Sequence, residues 1–156
     1  MFGTVSGEIE VKAAASVVWE VYGTLEMAAV VEKGLAEIIQ RIEVVEGDGS
    51  AGTVLNIVFQ SGGFAFPSYK EKYIKVDNEK RVKEAEVVEG GYLEIGFNKY
   101  LVRFEVIEKD EESCITKATV EYDLKEDFAD NASFVSIDTY MAIMNLVVNH
   151  VLVKSN

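Results

Sequence analysis

Between residues 38 and 124 the chain repeats one device: a short β-rich run, a turn of glycine or acidic residues, then another run. The runs are 38–46, 53–60, 69–76, 81–89, 92–97, 100–108 and 114–124. Gly47-Asp48-Gly49, Ser61-Gly62-Gly63, Asp77-Asn78, Gly90-Gly91 and Lys109-Asp110-Glu111 punctuate them. Connections this short suit antiparallel neighbours, because parallel pairing needs a long crossover. Residues 4–11 alternate polar and apolar and add another half-buried strand. Residues 13–25 space Val17, Val18, Val21 and Tyr22 as a helix does, with Ser16 as its cap, and 27–35 form a second short helix with Gly34 near its end. A final, long apolar helix covers 133–153. The expected class is α+β, one domain over 1–156, with the long helix lying across the concave face of the sheet.

Charge and composition narrow the function. A net charge of −12 works against any partner held by neutralised phosphates, so no nucleic acid is expected. The single Cys114 excludes an intramolecular disulfide and a four-cysteine zinc site, and on an apolar strand position it reads as a small buried thiol. The lone His150 excludes a His–His metal pair; on a mostly apolar helix its expected role is structural. Asp138, Asn145, Asn149 and His150 interrupt the apolar stretch 137–153, which reads as a core helix and not a membrane span. The first residues show no basic segment leading into a long apolar one, so cytoplasmic residence is expected.

Gly47-Asp48-Gly49-Ser50-Ala51-Gly52 matches the G-x-G-x-x-G of dinucleotide-binding folds. The next residues, Thr53-Val54-Leu55-Asn56-Ile57, are β-branched and alternating, so the loop joins two strands and lacks the helix N-terminus that would hold a pyrophosphate. The acidic cluster at 110–112 reads as a solvated turn. Glu126, Asp127 and Asp130 are expected to favour the N-terminal dipole of the last helix.

The informative pattern lies on the middle runs. In Tyr69-Lys70-Glu71-Lys72-Tyr73 the aromatic face turns inward and takes Glu71 with it. In 81–87, Ala85 and Val87 share a face with Lys83, while Glu84 and Glu86 point away. A lysine, a glutamate and tyrosines facing one cavity are costly unless paired. They form either a structural pair or a proton-transfer set in which burial lowers the lysine pKa.

The glycine loop, Tyr69-Lys70-Glu71-Lys72, Asp77 through Lys83, and Glu89-Gly90-Gly91-Tyr92-Leu93 together resemble the norcoclaurine synthases, within the plant family of the major birch pollen allergen and the pathogenesis-related class-ten proteins. Gly96-Phe97, Tyr100 through Arg103 and Asn131 through Phe134 are most similar to the norbelladine-type members. The resemblance implies a helix-grip fold: a curved seven-stranded antiparallel sheet around a long C-terminal helix, two short helices and an internal cavity. It implies cofactor-free condensation of a dopamine-type amine with an aromatic aldehyde, cyclised or released as an imine for a downstream reductase. It assigns catalytic roles to Lys83, Glu71 and Tyr69. Val102 stands where norcoclaurine synthases carry an aspartate, and alternation turns it inward with Tyr100 and Phe104. Tyr73, Phe59, Phe66, Tyr100, Met141 and Met144 are expected to join Val102 in contacting substrate. Neither metal nor organic cofactor is called for. The other reading is a non-catalytic carrier of hormones, flavonoids or alkaloids.

Overall fold

A computed structural model describes residues 1–155, so the last residue of the expected 1–156 domain lies outside the described residues. Among these, seven strands form one antiparallel sheet in the order β1-β7-β6-β5-β4-β3-β2. They are β1 Phe2–Val11, β2 Ile39–Glu46, β3 Val54–Phe59, β4 Ser68–Asp77, β5 Val82–Gly90, β6 Phe97–Asp110 and β7 Ser113–Leu124. Every strand from β2 onward pairs with its neighbour in the chain, and β1 closes against β7. Helices α1 (Ala15–Tyr22) and α2 (Glu26–Gly34) sit between β1 and β2, and α3 (Ile137–Ser155) ends the fold.

The sheet buries one face because its strands alternate. Burial along β1 switches at every residue, with Val11 closing the series in the core. Helix α3 supplies the opposing surface through Tyr140, Ile143, Met144, Val147 and Val151, a stripe at helical spacing. These side chains join one apolar cluster with Val102, Phe104, Ala118, Val120 and Leu124 of the sheet. Glu26 on α2 accepts from Lys154 (2.8 Å) and lies 3.0 Å from His150 Nε2, so His150 ties α3 to α2.

Four expectations from the sequence change. The run 92–97 is not a strand: Gly90 (φ 72°) and Gly91 (φ 54°) turn the chain into the left-handed region, and Gly91–Glu94 forms a 3₁₀ turn before β6 begins. The last helix starts at Ile137, four residues late, because Glu126–Phe134 is a separate 3₁₀ segment with a kink at Phe128. Glu126, Asp127 and Asp130 therefore lie outside the first turn of α3, where Asp138 is the acidic residue. Ser16 does not cap α1; Ala14 occupies that position with no side-chain bond. The glycine loop does join strand to strand. Thr53 Oγ1 accepts from the Gly49 N–H and donates to the Ser50 carbonyl, each at 2.8 Å, so the loop is stitched to itself.

Candidate active site

The curved sheet does not close fully on α3. The space left holds a cavity of about 110 Å³. One end is apolar, built by Met27 and Val31 of α2, Leu35, Ile38, and Ile42 of β2. The other is aromatic and polar, built by Tyr69, Glu71 and Tyr73 of β4, Lys83 of β5, Tyr92, and Tyr140 of α3.

Register explains how the polar side chains converge. Tyr73 lies opposite Ala85, and Ala85 opposite Val102, so the middle of the wall is floored by small apolar groups. Glu71 lies opposite Val87, and Lys83 opposite Phe104. Val87 and Lys83 are roughly 13 Å apart along β5 at ~3.3 Å per residue, so Glu71 and Lys83 reach into the cavity from two sides of this floor. Glu71 Cα gains its place from a register shift between Lys70 and Glu71. Tyr69 owes its position to Gly91, where a Cβ would come within 2.6 Å of the Tyr69 Cβ.

Lys83 is 2% exposed. Its Nζ donates to the carbonyl of Tyr22 (3.0 Å), the last residue of α1, and lies 3.9 Å from the centre of the Tyr73 ring. A helix C-terminus offers unpaired carbonyls and partial negative charge, and an aromatic face attracts a cation. Burial lowers the Lys83 pKa, and the Glu71 charge pulls it part of the way back. Burial raises the Glu71 pKa, and Lys83 opposes the rise through space. By surface area Glu71 is only half-buried, because its carboxylate faces the cavity, yet protein surrounds it on all sides. Among the described residues no protein donor reaches that carboxylate. Burial holds the Tyr69 and Tyr73 phenols neutral, with Glu71 adding to the effect.

Of the residues singled out in the sequence, the structure brings Tyr69, Glu71, Tyr73, Lys83, Phe59 and Val102 to the cavity wall. Four others do not line it. Phe66 packs edge-on behind Tyr92, with ring centres 4.7 Å apart. Tyr100 is stacked behind Tyr92 at 3.6 Å. Met144 is fully buried in the α3 contact with the sheet. Met141 faces Gly7 of β1, where a Cβ would come within 2.6 Å of its sulfur. On α3 the lining residues are Thr139, Tyr140 and Ile143. In the sequence Tyr140 and Tyr92 stand out only as members of apolar runs, and Phe64 sits in a glycine-rich turn.

A curved seven-stranded sheet gripping one long helix around an internal cavity defines the helix-grip class. The chain belongs to the Pathogenesis-related protein Bet v 1 family, whose model matches residues 1–154. It is 43% identical to norbelladine synthase of Narcissus pseudonarcissus across all of this chain and 96% of that protein. It is 35% identical to S-norcoclaurine synthase 2 of Papaver somniferum over 94% of this chain, but spans only 64% of that longer protein. Among solved structures, a norcoclaurine synthase point mutant of Thalictrum flavum in complex with a transition-state analogue superposes with a TM-score of 0.92. The two are 31% identical, over 100% of this chain and 98% of that one. The same plant's enzyme in complex with dopamine and hydroxybenzaldehyde gives 0.88 at 32% identity, over 97% of this chain and 87% of that one.

The through-space coupling has a measurable sign. Removing the Glu71 charge with Glu71→Gln withdraws the influence that raises the Lys83 pKa, so Lys83 should titrate still lower than in wild type. An NMR titration of the lysine side chains reads this; an unchanged or higher Lys83 pKa would contradict the coupling.

Proposed function

We propose that this protein condenses a phenethylamine of the dopamine type with an aromatic aldehyde, using Lys83 as general acid and Glu71 as general base. The observation that carries the reading is that both groups are enclosed, both face the cavity, and neither neutralises the other by direct contact: Lys83 bonds to a backbone carbonyl and Glu71 is left open to a ligand. The similarity to norbelladine and norcoclaurine synthases supports the same chemistry.

The amine nitrogen attacks the aldehyde carbon, forming the C–N bond. A proton then passes from nitrogen to oxygen and gives a carbinolamine. Lys83, as ammonium, donates a proton to the hydroxyl as the C–O bond breaks, and water leaves. The iminium either returns its N–H proton to the Lys83 amine and departs as a neutral imine, or is attacked by the electron-rich catechol ring. In the second route Glu71 takes the ring proton, which restores aromaticity, and exchange with water passes a proton from Glu71 back to Lys83 before the next turnover. Tyr69, neutral beside Glu71, orients a phenol oxygen. The scheme calls for no cofactor. Acid–base catalysis of this kind is worth about 100- to 10,000-fold, and confinement of both reactants adds to it.

Val102 bears on the outcome. With Ala85 opposite it, the middle of the cavity wall is apolar and carries no carboxylate. That favours release of the imine, which a reductase in the same compartment, here the cytosol, would then consume.

Lys83→Ala should lower the condensation rate about 100- to 10,000-fold, measured with dopamine and a panel of aromatic aldehydes; wild-type turnover would leave the cavity a mere container and favour the carrier reading. The rate of the cyclising route, which uses both groups, should be bell-shaped in pH. The active form needs Glu71 ionised and Lys83 protonated; the Glu71 pKa is raised and the Lys83 pKa lowered, so both limbs move toward neutrality and the bell is narrower than two free side chains would give. Separately, Val102→Asp should raise the ratio of cyclised product to borohydride-trapped imine, read by chromatography. A ratio unchanged in a folded Val102→Asp variant would remove residue 102 as the determinant of ring closure.

A further inference from the structure

The acid–base scheme leaves one polar feature of the cavity unused. Tyr140 projects from α3 onto the cavity wall, and its hydroxyl lies 3.0 Å from that of Tyr100. The Tyr100 ring is stacked on Tyr92 at 3.6 Å and 7°, which brings a third phenol alongside. Tyr140 is 9% exposed and Tyr100 1%, so bulk water is a poor partner for either. Burial keeps all three phenols neutral.

Hydrogen-bond accounting limits what the cluster can hold. Each hydroxyl supplies one donor and two acceptor sites. Tyr92 joins the same network, and three hydroxyls linked in an open chain use two hydrogens, so the cluster retains one hydrogen to give and lone pairs to receive. An ammonium could only donate to it. A carboxylate could only accept, and would carry its charge into a wall that already contains Glu71. A ring hydroxyl does both and is neutral. The location fits as well: the Tyr140 ring meets Phe104 edge-on, centres 6.2 Å apart, and Phe104 is the cross-strand partner of Lys83. The Tyr140 ring and Lys83 therefore neighbour the same phenylalanine, and both line the one cavity.

We propose that Tyr140, held by Tyr100, is a specificity-determining residue that binds the ring hydroxyl of a phenolic substrate and thereby aims the other end of that ring at Lys83. The role deepens the condensation reading and rests on it for the identity of the substrate, while the hydroxyl preference is measurable without turnover. The alternative is that the tyrosine pair only packs α3 onto the sheet.

The test uses unreactive probes, 4-hydroxybenzamide and benzamide, titrated calorimetrically into the intact protein. Wild type should bind the hydroxylated probe roughly tenfold tighter, the scale of leaving a buried hydrogen-bonding site unmatched. Tyr140→Phe should bring the ratio to about twofold or less, and Tyr100→Phe, which disturbs the pair from behind, should also reduce it. In turnover, Tyr140→Phe should raise KM for 4-hydroxybenzaldehyde more than it lowers kcat. A wild type with no preference, or a folded Tyr140→Phe that keeps the full preference, overturns the proposal. If Tyr140→Phe does not fold, the Tyr100→Phe ratio decides. A hydroxyl preference that depends on Tyr140, without condensation that depends on Lys83, would refute the enzymatic reading and leave this one standing.

Discussion

The bond from Lys83 Nζ to the Tyr22 carbonyl joins the end of α1 to the middle of the sheet through the interior. Placing an ammonium there costs several kcal/mol in lost hydration. Three features offset the cost: the carbonyl end of α1, the face of Tyr73, and the Glu71 charge acting across open space. None of them is a direct ion pair. A contact pair with Glu71 would have cancelled both charges and left the cavity wall chemically quiet. Holding the lysine by a neutral carbonyl keeps it available as a proton donor and leaves the carboxylate open to whatever occupies the cavity.

The rest of the site depends on that arrangement. Lys83 and Glu71 approach from two sides of a floor made by Ala85 and Val102, both too small to fill the space above them. The aromatic end (Tyr69, Tyr92 and Tyr140) is neutral and able to donate and accept, while the end built by α2 and β2 is purely apolar. A reactant bound there is oriented by the asymmetry of the walls before any proton moves, and such positioning is itself a large share of a condensation rate.

How much of this the residues announce depends on the element. Along β5 the period of two holds from Val82 to Val87, and along β4 the side chains at 69, 71 and 73 keep one face despite a register shift between Lys70 and Glu71. This alternation places Glu71 with Tyr69 and Tyr73, and Lys83 with Ala85 and Val87, and a one-residue slip would invert every side chain. Helix α3 is apolar around much of its circumference, including Leu146, Val148 and Leu152. Its phase is set by packing against β1 and β7, and Tyr140 therefore lines the cavity in place of the expected Met141 and Met144. The run at 92–97 has strand composition, but two consecutive glycines with positive φ send it into a 3₁₀ turn. Phe66 and Tyr100 face inward, as aromatic residues on these segments should, but a second layer of rings covers them. The partner of Lys83 is a backbone carbonyl, and no side-chain pattern encodes it.

The central claim is that Lys83 gives a proton and does not become a nucleophile, although a lysine with a lowered pKa is suited to either role. Treating the protein with dopamine, limiting 4-hydroxybenzaldehyde and borohydride, then mapping its peptides by mass, separates the two. If the lysine is an acid, the reduced amine–aldehyde product appears free in solution and the peptide carrying Lys83 keeps its mass. A reduced aldehyde adduct on Lys83, formed at the rate of condensation, would contradict the account.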